Sequence, residues 1–157
     1  MWIDSQLQFS DAQAVTVSAV GTNVIDLSLD RSIGNGEPMG VAFVVDVAAD
    51  QTSSDEDYTF DVEYASNAAQ STGRQLVGRR IFESGTPDAP AQDADLLVVG
   101  FKFVIPVPQT TLAESERFLG IRYVTAGASP IITMTSFLAP LSMLDGFNTY
   151  ADGYDIT

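Results

Sequence analysis

The residues of this chain that offer the most chemistry are its carboxylates, because the sequence has 21 aspartates and glutamates but no histidine and no cysteine. Histidine is the commonest general base and metal ligand, and cysteine supplies thiolates and disulfides, so sites of those kinds are not expected. A glycoside hydrolase needs two facing carboxylates about 5–9.5 Å apart, and the sequence singles out no such pair. A carboxylate-dependent hydrolase is therefore the weakest of the functions that we consider.

Two acidic groups have the residue types that could bind a cation. Asp55, Glu56 and Asp57 are consecutive, and because neighbouring residues do not converge on one ion we interpret them as a solvated loop. The second group lies among glycines near the end of the chain and comprises Asp145, Asn148, Asp152 and Asp155. Its spacing does not match the D-x-[DN]-x-[DN]-G calcium loop. We therefore predict no metal site and no cofactor.

The sequence also offers hydroxyl and glycine motifs, and none has the context that catalysis needs. Ser10, Ser84 and Ser136 lie in no G-x-S-x-G motif and have no histidine to activate them. The G-N-G at residues 34–36 does not join a strand to a helix, so it indicates a tight turn and not a phosphate loop. We predict no catalytic residue, and we do not expect an enzyme.

Arg79 and Arg80 are adjacent in a chain that has only 7 basic residues. One interpretation is a pair of exposed intramolecular ion pairs, each of small energy. The other is a contact with an acidic neighbouring subunit, which makes both arginines candidate interface residues. Both interpretations stay open.

The formal net charge of −14 limits the partners that the protein can have. Such a chain is repelled by phosphate backbones and by anionic lipid, so we expect neither nucleic-acid nor membrane binding. No stretch approaches about 18 uninterrupted apolar residues, the length that a membrane span requires. The opening M-W-I-D lacks the basic and apolar regions of a secretory signal, and none is expected.

Two stretches give the clearest strand signals. Residues 116–127, E-R-F-L-G-I-R-Y-V-T-A-G, are apolar on both faces and predict a strand in the middle of a sheet, covered on two sides. Residues 58–65 alternate with a period of two, which predicts one core face and one face in water. The predicted core residues are Tyr58, Phe60, Val62 and Tyr64, and the predicted exposed residues are Thr59, Asp61 and Glu63. Tyr58 and Tyr64 could instead stack on a sugar, although such a stripe is more typical of a core.

Further strands are predicted at residues 39–47, 75–83, 96–107 and 130–138, separated by turn signals, and no helix is convincing. The pattern predicts an all-β fold, an antiparallel β-sandwich of the jelly-roll type with about eight strands. We expect one domain over residues 1–157. Residues 1–20 could form a first strand or an N-terminal arm, and residues 139–157 a C-terminal tail.

Four blocks of sequence, in order along the chain, carry a family likeness. They are LQFSDAQAVTVSA at residues 7–19, TNVIDL at 22–27, DRSIGNGEP at 30–38 and RFLGIRYVTAG at 117–127. Together they resemble the jelly-roll capsid cement (decoration) proteins of tailed bacteriophages. Residues 48–95 carry no such block, and the last predicted strand, with P-I-I at residues 130–132, departs from the family pattern.

The resemblance implies a virion protein on the outer capsid surface, made in the host cytoplasm. It implies a homotrimer at three-fold positions that clamps major capsid protein subunits, with no catalytic residues. The alternative from a different class is a carbohydrate-binding jelly-roll module or adhesin.

Overall fold

A computed structural model describes residues 5–27, 37–50, 56–83, 96–108 and 116–144. In these ranges the chain forms nine β-strands and two single-turn 3-10 helices, Ser5–Leu7 and Leu141–Met143, and it has no α-helix. The strands are β1 (Gln8–Val15), β2 (Ala19–Val20), β3 (Ile25–Asp26), β4 (Met39–Val47), β5 (Asp57–Ala65), β6 (Gln75–Glu83), β7 (Lys102–Val107), β8 (Phe118–Ala126) and β9 (Ile132–Pro140). None of the described helices is long and apolar enough to cross a membrane.

The strands form two antiparallel sheets. The first sheet has the order β1-β9-β4-β7, and the second has β2 and β3 along one edge of β8, followed by β5 and β6. Because β2 and β3 pair with different halves of β8, they are two pieces of one interrupted strand. Counted in that way, two interleaved four-stranded sheets give the strand order of a jelly roll. The predicted fold class is confirmed.

Aromatic rings from both sheets meet at the centre of the core. Phe43 of the first sheet stacks on Phe103, with 4.8 Å between ring centroids, and lies edge-on to Phe60 of the second sheet at 5.6 Å. Tyr123 contacts Phe60 at 5.9 Å in the same edge-on geometry. Each such pair contributes about 0.5–1.5 kcal/mol beyond the area that it buries, so this cluster holds the two sheets together.

The period of two in β5 correctly predicts which residues face the core, but the prediction that the other face lies in water is wrong for two of its residues. Tyr58, Phe60, Val62 and Tyr64 are all buried, as predicted. Asp61 and Glu63, which we expected in water, are also buried, with only 1% and 2% of their surface exposed. The alternation of one strand cannot reveal what neighbouring strands place over its polar face.

The strand at 116–127 lies in the middle of its sheet as predicted, but only its core face is covered by apolar residues. A strand that does have apolar cover on both faces is β4. Its Val41, Phe43 and Val45 face the core, and its Ala42 packs on the outer side with Phe137 and Leu144.

The strand predicted at 96–107 begins only at Lys102. Residues 96–101 form a turn, in which the Phe101 N–H donates to the Val98 carbonyl at 3.0 Å. Gly100 has a φ of +85°, a conformation that glycine adopts without strain.

At the start of the chain, β1 pairs along its length with β9, so the strand interpretation holds for residues 8–15. Of the predicted C-terminal tail, residues 139–140 belong to β9 and residues 141–144 follow it. Residues 145–157 lie outside the described residues.

Candidate interaction surfaces

The outer face of the β2/β3-β8-β5-β6 sheet carries a charged layer, formed by Asp61, Glu63, Arg74, Arg79 and Arg122. In the register of the sheet, Asp61 on the central strand β5 lies opposite Arg79 on β6. The Arg79 guanidinium donates two hydrogen bonds to the Asp61 carboxylate, Nε to Oδ1 at 2.7 Å and Nη2 to Oδ2 at 2.8 Å. This bidentate contact raises the pKa of Arg79 above its usual value.

Glu63 accepts from two arginines. Arg122 on β8 donates Nε and Nη2 to Oε1 at 3.0 and 2.8 Å, and Arg74 contacts Oε2 at 3.0 Å. Arg122 also donates to the carbonyl of Gln70 at 2.6 Å, which fixes the β5–β6 connection over the sheet. The Gln70 side chain lies directly on Gly120, where an added Cβ would come within 1.9 Å of the amide nitrogen. The guanidinium groups and this connection cover the two carboxylates, which explains why both are buried.

The two candidate interface arginines have different surroundings. Arg79 faces the charged layer, whereas Arg80 lies opposite the core residue Phe60 and points to the other face at the sheet edge. The Arg80 guanidinium lies over the ring of Phe82, 5.2 Å from its centroid. Within the described part of the chain, Arg80 makes no ion pair with a carboxylate. The interface role of both residues remains a prediction, and Arg80 is the one whose charge is still available.

Four of the other candidates from the sequence are buried in the core, and most of the rest lie outside the described residues. Ser10 and Ser136 lie in the core on either side of Tyr123, whose hydroxyl is 3.0 and 3.2 Å from their Oγ atoms. Burial raises the pKa of Tyr123 to about 12, so the phenol remains protonated. Tyr58 and Tyr64 are buried and cannot stack on a sugar. Ser84, Asp55, the G-N-G turn and the acidic C-terminal group lie outside the described residues.

Glu56, expected in a solvated loop, is only 1% exposed, so that expectation is wrong for this residue. Neither of its carboxylate oxygens has a hydrogen-bond partner among the described residues. No group of three or more potential metal ligands occurs among the residues that the structure describes. A buried carboxylate without a partner destabilises the fold when it is ionised.

A surface that the sequence did not reveal lies at one end of the sandwich, where β1, β4 and β8 end and β9 begins. Ten large apolar side chains are exposed in the described part of the chain, and six of them are at this end. They are Val17, Val47, Leu96, Val98, Val99 and Ile131, which we call the apolar end. Such residues gather here only in the folded chain, because they come from four separate segments.

Backbone hydrogen bonds join the segments of the apolar end. The Asp50 N–H donates to the Ile131 carbonyl at 2.8 Å, and the Ala49 N–H donates to the Leu97 carbonyl at 3.0 Å. The Tyr58 hydroxyl donates to the Asp50 carbonyl at 2.7 Å, and burial raises its pKa. A groove of about 490 Å³ opens between residues 16–18 and 127–131.

Comparison with known proteins identifies a family. A model of the family described as Bbp16 matches residues 9–138, which are 130 of the 157 residues and include most of both sheets. No curated protein matches the chain.

Proposed function

The chain belongs to the phage-associated Bbp16 family, and we propose that it is a structural virion protein that cements neighbouring major capsid protein subunits. It binds the outer surface of the assembled capsid and is made in the host cytoplasm before it joins the particle. We propose no enzymatic activity, no cofactor and no nucleic-acid or membrane partner. The proposal agrees with the jelly-roll strand order and with the resemblance of four sequence blocks to capsid cement proteins.

The observation that carries this proposal is the concentration of exposed apolar residues at one end of a strongly acidic domain. Val17 and Val99 are 69% and 67% exposed, although the chain has a net charge of −14 and a well-formed core. Contiguous exposed apolar residues with a polar rim are typical of a protein-binding surface. A protein that binds another protein needs this surface and no catalytic group.

Cementing follows from binding several subunits at once. A standard protein interface buries about 800 Å² per partner. Linking three such contacts through a homotrimer at three-fold positions makes the later contacts intramolecular, which raises avidity about 10²-fold or more. Because the protein binds the assembled shell and not free subunits, its binding stabilises the shell by mass action.

The test uses purified shells that lack this protein. We expect saturable binding in co-sedimentation and a higher melting temperature of the shell, with no binding to unassembled capsid subunits. Shells that neither bind the protein nor melt at a higher temperature would refute the cementing role. Analytical ultracentrifugation of the free protein tests the trimer separately, and a monomer or dimer would contradict the trimer alone.

The carbohydrate-binding alternative gains no support from the described residues. Sugar sites use exposed aromatic side chains, and none of the large exposed apolar residues in the described part of the chain is aromatic. Glycan-array binding by the wild-type protein, together with failure to bind shells, would restore this alternative.

A further inference from the structure

We propose that the apolar end is the surface that faces the capsid, and that it fits a capsid surface with an apolar centre and a rim of lysine and arginine. This inference rests on the proposed function and specifies its binding surface. It places the docking site away from the arginine-bearing strand β6, to which the sequence pointed.

The apolar end offers apolar surface that a partner can bury. The six residues of the apolar end contact water with a large part of each side chain, from 45% for Ile131 to 69% for Val17. Burial of such surface is the main favourable contribution in most protein association. The four exposed apolar residues elsewhere in the described part, Leu76, Ile81, Val124 and Met143, are divided between another sheet face and the opposite end.

The apolar end is also rigid. The segments that carry the apolar end are joined by backbone hydrogen bonds from Asp50 to Ile131 and from Gly100 to Val45, both 2.8 Å long. The hydroxyl of the buried Tyr58 attaches the same region to the core through the Asp50 carbonyl. A surface held in this way loses little conformational entropy when it binds. The groove of about 490 Å³ beside Val17 and Ile131 is open to an apolar side chain of the partner.

The charges around the apolar end indicate which kind of partner binds there. The ends of β4 and β5 beside this surface carry the acidic residues Asp46 and Asp57, and the whole chain is strongly acidic. A second copy would bring the same acidic rim against it, and each copy has a net charge of −14. Like charges that face each other across an interface disfavour association. A partner with a basic rim, such as the proposed capsid surface, gains from the same arrangement.

The arginines of the charged layer do not offer an equal site. Arg79 and Arg122 already make short hydrogen bonds to buried carboxylates of the same chain. A partner would have to compete with those carboxylates to use either guanidinium. The side chains of the apolar end are apolar and exposed, so a partner can cover them without displacing an ion pair in the described part of the chain.

The experiment compares binding of three variants to shells that lack the protein. Val98→Ser with Val99→Ser removes two exposed apolar side chains from the turn, and Val17→Ser removes one from a different segment. Met143→Ser is the matched control, because Met143 is 62% exposed at the opposite end of the sandwich. Thermal melting of each free variant verifies that it is folded, and Val17→Ser keeps the test valid if the double variant does not fold.

We expect the half-saturating concentration to rise at least tenfold for the double variant and severalfold for Val17→Ser, with the control unchanged. We also expect wild-type binding to weaken as salt rises, because the rim contacts are between opposite charges. If wild-type protein binds shells and both variants bind equally well, the inference is wrong and the cementing role stands. If the variants lose self-association but still bind shells, the apolar end joins copies of this chain and the inference is again wrong. If wild-type protein does not bind, the proposed function itself fails.

Discussion

The charged layer and the apolar end differ in how far the fold itself satisfies their side chains. In the charged layer, Asp61 and Glu63 are buried and each accepts short hydrogen bonds from arginines of neighbouring strands. At the apolar end, valines such as Val98 and Val99 remain 54% and 67% exposed. The charged layer is satisfied within the chain, whereas the apolar end is the surface that we propose a partner covers.

If the apolar end is the binding surface that we propose, residue type alone does not identify it. Two adjacent arginines in an acidic chain suggest an interface. A partner gains binding free energy from a guanidinium, however, only if no carboxylate of the same chain already binds it. Exposed valines in short connections give no comparable sequence signal, and yet a partner can still bury their apolar surface. Each prediction below changes one side of this comparison.

The largest effect is expected for Arg122→Met, which leaves the buried Glu63 with Arg74 as its remaining arginine. Removing one partner of a buried pair costs about 3–5 kcal/mol, and Arg74 limits the loss to about 3 kcal/mol. Urea unfolding of both proteins measures the difference. The double variant with Glu63→Met should recover more than half of the lost stability. A loss below about 0.5 kcal/mol for Arg122→Met would mean that the charged layer is not a buried network.

A smaller effect separates Arg79 from Arg80. Arg79→Met leaves the buried Asp61 without its bidentate partner. Because Arg79 is 48% exposed, compared with 21% for Arg122, water can reach the freed carboxylate, and the cost should be about 1.5–3 kcal/mol. Arg80→Met removes the cation–π contact of the exposed Arg80 with Phe82 and should cost under about 1 kcal/mol. Equal losses in thermal unfolding would contradict the different roles assigned to the two arginines. Charge reversal of both together would confuse a folding defect with a binding defect, so Arg80→Glu alone is the suitable variant for shell binding.

A gain in stability of about 1–2 kcal/mol is expected for Glu56→Met, which replaces the buried carboxylate that has no hydrogen-bond partner in the described part of the chain. Glu56→Gln should give a smaller gain, because it removes the charge but keeps two polar atoms. Differential scanning calorimetry at neutral pH measures both. A lower melting temperature for Glu56→Met would mean that this carboxylate has a stabilising partner in solution.

A further small effect is expected for Tyr58→Phe, which deletes the hydrogen bond from the core to the Asp50 carbonyl at the apolar end. Stability should fall by about 1 kcal/mol. Amide hydrogen exchange should accelerate at residues 49–50 and 131, because their backbone bonds lie beside the lost contact. Unchanged exchange there would show that the hydroxyl does not hold this end together.

The sequence predicted the fold well because local patterns decide it. Alternation in β5 identifies Tyr58, Phe60 and Val62 as core residues, and the spacing of turn signals predicts a jelly roll. The burial of Asp61 could not be predicted in the same way. Its arginine partner lies 18 residues away and meets it only through the register of the sheet. The apolar end escaped prediction for a similar reason, since the apolar pattern of residues 96–101 predicts a strand where the structure has a turn at Gly100.

The candidate site was predicted only in its residue types. The doubled arginine was noticed, but the opposite surroundings of Arg79 and Arg80 depend on pairing with Asp61 and Phe60 across the sheet. A sequence signal was available in part: the acidic residues of β5, Asp57, Asp61 and Glu63, all lie at odd positions and so on one face of the strand, which is typical of strands that pair charges across an antiparallel sheet. No comparable signal marks the apolar end, because exposure of a valine depends on which segments fail to cover it.

The most direct test of the account is the orientation of the protein on the shell, measured by electron cryomicroscopy of particles to which it has been added. We predict that residues 16–18, 96–101 and 127–131 contact the capsid, while the charged layer on the outer face of β5, β6 and β8 faces solvent or a neighbouring copy. A reconstruction in which β6 and the charged layer contact the capsid, with the apolar end in solvent, would contradict the account.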